Sequence, residues 1–265
     1  MLKLIQRDLR CGLIRWQYLI APVFFIGPFL RTFPSNHNTN YTDYLMSVFA
    51  GNPFIPPHGI YDISFYWLLS VCGCLLINLD YILHDLTGPG HQVLLRSGTK
   101  RGWFLSKCLW NLMSCLVYFA VFLLTALVFS LLDGAEVFPI QLGMFTRISF
   151  RHMFHRTPTA TKILVVSVLL PFLTVFAMSL LQMVLCLYIK PILAFLCCLV
   201  LPFLAVAVKS PLILGNGAMW LRNEWIHMGV FRIQDLLLGC LLWIAVSFAA
   251  GLIRIKHVDV LGTKE

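Results

Sequence analysis

Four cations stand close together in residues 94–107, LLRSGTKRGWFLSK: Arg96, Lys100, Arg101 and Lys107. Guanidinium and ammonium groups at this density can make charge-assisted hydrogen bonds to carboxylates in a partner's cleft. The neighbouring Leu94, Leu95, Trp103 and Phe104 can anchor the same segment to protein or lipid. A second grouping, Asp80, His84 and Asp85, carries metal-ligand types, and Asp80 and His84 are spaced to share a helix face. A carboxylate solvated there, or meeting Arg101 or Lys107 across the loop, accounts for the same residues, and no metal site is assigned. Arg147, Arg151 and His155 follow at four-residue spacing in MFTRISFRHMFHRTP, so a short helix would put all three on one face as a cationic cap against headgroups. The nine cysteines lack paired CxxC spacing and partner histidines, and they read as small apolar fillers.

The elements that must carry these residues are set by composition. Of the 265 residues 59% are hydrophobic and 12% charged, with a mean hydropathy of +0.84. A water-soluble domain cannot cover itself at that composition, so lipid is the solvent for most of the chain. A bilayer core about 30 Å thick needs about 20 apolar residues per helix. Charge-poor runs near that length predict six spans at residues 16–32, 63–83, 108–132, 163–188, 191–208 and 236–254, within one transmembrane domain covering 1–265. The first is the weakest, being short and holding Pro22 and Pro28. Prolines are tolerated there if neighbouring helices satisfy the freed carbonyls. Without that span the count falls to five. The run 163–208 is twice the spanning length, and Lys190 next to Pro191 marks the turn that divides it.

Of the twenty lysines and arginines, twelve fall on the side that would hold both ends and eight on the other. That bias places both termini in the cytoplasm and the 94–107 stretch in an inner loop of a multi-pass protein of the cell membrane. Residues 1–14 form an amphipathic pattern, with Leu2, Ile5, Leu9 and Leu13 opposite Lys3, Arg7 and Arg10, and are expected to lie as a retained interfacial helix rather than a signal peptide. The outer stretch 34–62, rich in Pro and Asn, is expected to be ordered coil. Trp220 and Trp225 suit an interfacial aromatic belt, and Arg222 and Glu224 are too close to pair across a helix turn.

Chemistry inside the bilayer would announce itself as charges or histidines within spans, and these are nearly bare apart from Asn78, Asp80, Asn111 and Gln182. No ATP-binding loop, serine-protease, paired-glutamate or HExxH motif is present, and the net charge of +9 is spread too evenly for a nucleic-acid surface. The chain is therefore expected to carry no catalytic residues of its own.

Two motifs on this frame resemble those of a known family. RSGTKRGWFLSK directly before a long span resembles the cytoplasmic segment of small bacterial type-two ABC exporter permeases, and GNGAMWLR before the last span is similar to a second motif of theirs. The resemblance implies an all-α, six-span fold with an amphipathic interfacial helix. It implies a separately encoded cytoplasmic ATP-binding-cassette subunit that holds ATP and Mg, with no cofactor in this chain. It also implies a second permease chain, the same or homologous, and no nucleic acid. Arg96, Lys100, Arg101, Trp103 and Lys107 would form the ATPase-coupling loop, and Arg147, Arg151 and Arg222 are candidate external or substrate-side contacts. The apolar spans suit an amphipathic cargo such as a peptide antibiotic or a lipid-like compound. Two other readings stand beside this one: a non-transporting membrane scaffold or immunity protein binding a peptide or lipid, and a membrane-embedded lipid enzyme.

Overall fold

The computed structural model describes residues 16–32, 39–52, 64–87, 100–138, 140, 159–226 and 229–257, with backbone alone at 16–17, 80–87 and 257. The described chain is helical. After a 3-10 turn at Trp16–Leu19 come α1 (Val23–Thr32), α2 (Tyr41–Val48), α3 (Phe65–Thr87), α4 (Lys100–Leu132), α5 (Ala160–Leu185), α6 (Pro191–Ala207) and α7 (Ile233–His257). Pairing outside helices is limited, among the described residues, to two isolated bridges, Asn40 with Glu136 and Asn223 with Phe231.

Three of these helices, α4, α5 and α7 as far as Lys256, are long and apolar enough to cross a membrane. Three more apolar helices are shorter: α1, the Phe65–Leu79 part of α3, and α6. At 1.5 Å per residue the ten residues of α1 reach about 15 Å, roughly half the hydrocarbon thickness. The 33 residues of α4 reach about 50 Å, well beyond it. The span expected to begin at Cys108 therefore begins a full two turns earlier, at Lys100. Residues 100–107 lie on that helix and not in a loop, because nothing between Lys100 and Cys108 breaks it: Gly102 alone is a weak former, and no proline intervenes.

α5 is the axis of the bundle. It packs against α3, α4, α6 and α7, and 61% of its apolar window is buried, against 33% for α4 and 28% for α7, whose outer faces are left to solvent or lipid. Proline accounts for the local irregularities. Pro171 cannot donate to the preceding turn, and the helix widens just before it into a π segment, Val165–Leu169, in which Leu170 N bonds Val165 O. Pro28 leaves the Phe24 carbonyl without its helical donor; the Ser70 hydroxyl of α3 lies 3.3 Å from that oxygen, while its shorter bond, at 2.8 Å, goes to Tyr66 O of its own helix. The division of the 163–208 run falls at the expected place: α5 ends at Leu185, and Pro191 opens α6 in the first-turn position where its missing N–H costs nothing.

Two expectations about the segments between the long helices are corrected. The stretch 34–62 holds a helix, α2, not only coil. Asn40 N donates to Asp43 Oδ2 at 3.1 Å and starts the helix, and Tyr44, Leu45 and Val48 are buried in the main core. Trp220 and Trp225 do not form an interfacial belt but are buried in that core. The indole of Trp220 donates to Met46 O at 2.6 Å, which uses up the polar handle that would otherwise seek headgroups. Among the described residues all eight cysteines are free thiols, six of them buried, Cys108 half-buried and Cys197 exposed.

Candidate functional site: the start of α4, the polar node and the Arg222 cap

The first turns of α4 carry the described members of the cationic group. Arg101 is exposed, and Lys100 Nζ donates to the Lys256 carbonyl at 3.4 Å, a cation at the end of α7 where the helix dipole is negative. One face of the same turns goes the other way. Trp103 and Phe104 are buried in a cluster with Leu180, Met183, Val184, Ala194 and Ile255, drawn from α5, α6 and α7. Lys107 is only 5% exposed, with its ammonium 5.6 Å from the centre of the Trp103 ring, so its role is inward. Phe104 fits because residue 251 of α7 is glycine, where a Cβ would collide with the Phe104 ring. Of the five residues expected to face a partner, the structure thus presents Arg101 outward, ties Lys100 to α7 and buries Trp103 and Lys107. Arg96 lies outside the described residues, as do Lys3, Arg7 and Arg10 of the expected interfacial helix and Arg147 and Arg151 of the outer loop.

Deeper in the bundle, polar groups that looked scattered in the sequence converge. Asn78 of α3 donates from Nδ2 to Ser179 Oγ of α5 at 2.7 Å and to Asn111 Oδ1 of α4 at 3.2 Å. Ser179 in turn donates to Asn111 Oδ1 at 2.6 Å. Ser114 donates to Asn78 Oδ1, and the Tyr18 hydroxyl donates to Ser114 at 2.7 Å. One turn along α5, Gln182 Nε2 donates to the Leu75 carbonyl at 3.1 Å. All are buried. These bonds tie three helices and the 3-10 turn together through a buried polar network. Asn78, Asn111 and Gln182 were visible in the sequence; Ser114, Ser179 and Tyr18 were not singled out. The usable signal was spacing, since Lys107, Asn111, Ser114 and Tyr118 recur every three or four residues and mark a polar stripe on an otherwise apolar helix.

At the opposite end of the bundle from Lys100, Arg222 is 1% exposed. Its Nε donates to the Asn52 carbonyl at 2.9 Å, Nη2 to the Val206 carbonyl at 3.1 Å, and Nη1 to Asn216 Oδ1 and the Ala205 carbonyl. The last carbonyls of α6 have no helical donors, and Arg222 supplies them with a charge suited to a helix C-terminus. Glu224 leaves Arg222 alone, as the spacing implied, and pairs with exposed Arg232 at 3.7 Å. Main-chain bonds from Trp220 N to Phe49 O at 3.1 Å and from Leu221 N to Ala50 O at 3.3 Å, with Trp67 Nε1 donating to Ala218 O at 3.1 Å, lock residues 216–222 onto the α2 segment and α3. On the far side of α2, Tyr44 and Thr39 each donate to Asp133 Oδ2 at 2.7 Å. Burial, reinforced by Asp133 accepting its proton, holds the Tyr44 phenol well above its ordinary value. Among the described residues no group of three His, Cys, Asp or Glu side chains is placed to hold a metal ion.

A family model described as "Protein of unknown function (DUF2705)" matches residues 37–253, most of the chain. No curated protein matches, and no solved structure does.

Proposed function

We propose that this chain, which belongs to the DUF2705 family, is the membrane-spanning permease subunit of an ATP-driven exporter of the type-two ABC kind. In this reading it has six spans, sits in the cell membrane with both ends in the cytoplasm, and moves an amphipathic cargo outward. Hydrolysis of ATP with Mg belongs to a separate cytoplasmic subunit, and a second permease chain completes the pathway.

The observation that carries the reading is the build of the inner end of α4. A coupling element must present charge to a partner and pass the partner's movement into the spans. Arg101 stands outward here, while two turns of the same helix drive Trp103 and Phe104 into a cluster shared by α5, α6 and α7. A push on the exposed face cannot be absorbed locally, because packed cores shift as units rather than deform. A cationic end obeying only the inside-positive rule would need no such anchorage.

Simultaneous charge reversal, Arg96→Glu, Lys100→Glu and Arg101→Glu, is expected to abolish association with the ATPase subunit while the chain still reaches the membrane. Normal co-purification and normal transport by this triple variant would remove the docking assignment. The second reading, a scaffold or immunity protein that binds without transporting, draws on the outer cap, whose interlocked main-chain bonds make a fixed surface. It predicts function with no nucleotide hydrolysis in the complex.

A further inference from the structure

Between α4 and the π segment of α5 lies a cavity of about 840 Å³, open to the side of the molecule and within the size range of ligand pockets, about 300–1,000 Å³. Its floor is Phe119 and Phe172, whose rings meet edge to face with centroids 5.4 Å apart. Ala120 and Val168 form opposite walls, and Tyr41 and Leu45 of α2 roof the outer end. The roof is pinned, since the Tyr41 hydroxyl donates to the Leu123 carbonyl at 3.2 Å. That bond occupies the hydroxyl of the lining, and the remaining lining side chains are hydrocarbon.

The surroundings decide what can enter. At the mouth Leu116, Leu164 and Leu169 are 44%, 40% and 43% exposed, and further along α4 Leu124 and Val128 are exposed as well. Both walls belong to helices long and apolar enough to cross a membrane, so the mouth opens into hydrocarbon rather than water. Lipid against a convex helix slides past; lipid in a roofed concavity is held on three sides. The π segment forms part of the α5 wall of this cavity, and such segments recur at functional sites.

We infer that this cavity is a binding site for one acyl chain of a bilayer phospholipid, entering sideways between α4 and α5. The inference rests on the membrane reading and not on the exporter reading, so either can fail alone. The face of α7 bearing Leu238, Leu242 and Val246, each at least half exposed, provides an internal standard for unselective lipid contact.

The test uses the full chain in nanodiscs of phosphatidylcholine carrying a diazirine midway along one acyl chain, with adducts mapped by mass spectrometry after photolysis. Adducts per exposed residue are expected to be several-fold more frequent on the cavity walls than on α7. Ala120→Trp, which fills the cavity from α4, should remove the cavity adducts and leave those on α7, whose persistence reports that the variant is inserted and folded. Val168→Phe fills the cavity from the opposite wall and serves the same end if A120W does not reach the membrane. Equal labelling of both faces, or cavity labelling unchanged in the filled variants, would mean annular lipid only and would overturn the site. Labelled α7 with an unlabelled cavity would mean that protein covers the groove, and would overturn it as well.

Discussion

Arg222 shows how a residue's type can be read correctly and its role misplaced. Arginine beside an outer tryptophan suggested a contact with the outside, whereas its guanidinium is consumed by the chain's own carbonyls at Asn52, Ala205 and Val206. No spacing rule foretells such a bond, because its partners are backbone atoms brought close only by the folded chain. Arg222→Ala leaves those carbonyls buried without donors and should cost on the order of 3 kcal/mol, seen as a lowered Tm in detergent. Arg222→Lys should recover only part of this, since a single ammonium cannot reproduce the planar fork. A substrate contact would show the reverse pattern: transport lost with Tm unchanged. At the polar node, Asn78→Leu and Asn111→Leu should each cost about 1 kcal/mol, and the double variant less than their sum because they share bonds with each other and with Ser179. Tyr44 adds a pH dependence. Its phenol holds its proton more tightly when folded than when unfolded, so its contribution is complete below about pH 10 and declines as pH rises beyond it. In Tyr44→Phe, thermal unfolding followed across that range should lose this alkaline decline.

Elements were far more legible than contacts, and the reason is solvent. Long apolar runs announce themselves whatever their neighbours, so the cores of α4, α5 and α7 and the Lys190–Pro191 division stand where the hydropathy put them. α2 was hidden because its eight residues are flanked by Pro- and Asn-rich chain and are buried by tertiary packing, not by a periodic pattern of their own. The start of α4 was hidden for the opposite reason: cations that look like a loop are compatible with a helix that extends beyond its apolar core. That extension is testable where α4 meets α7. Gly251→Leu would drive side-chain atoms into the Phe104 ring, prising α7 from the start of α4. If that contact transmits movement, ATPase binding should persist while transport and its coupling to hydrolysis fall together. A variant that keeps full transport would detach coupling from the aromatic anchor.

For the molecule as a whole, the α2 segment and the 209–226 segment interlock, and the proposed six-span arrangement would put both on the outer side. Labelling of single cysteines from outside should mark Glu136→Cys and Lys209→Cys and spare Arg101→Cys and Lys256→Cys, all four being exposed positions. Ala218 is unsuited to this test, because it is fully buried and would stay unlabelled on either side. Labelling of Arg101→Cys or protection of Lys209→Cys would require the spans to be recounted. The central claim, that energy reaches this chain from another subunit at its inner end, is tested most directly by purifying it in mild detergent from its own membranes and measuring nucleotide hydrolysis in the product. The account predicts a cytoplasmic ATPase present in stoichiometric amount, with hydrolysis that disappears along with that subunit in the Arg96→Glu, Lys100→Glu, Arg101→Glu variant. A functional chain that purifies without any such companion and without hydrolysis would contradict it.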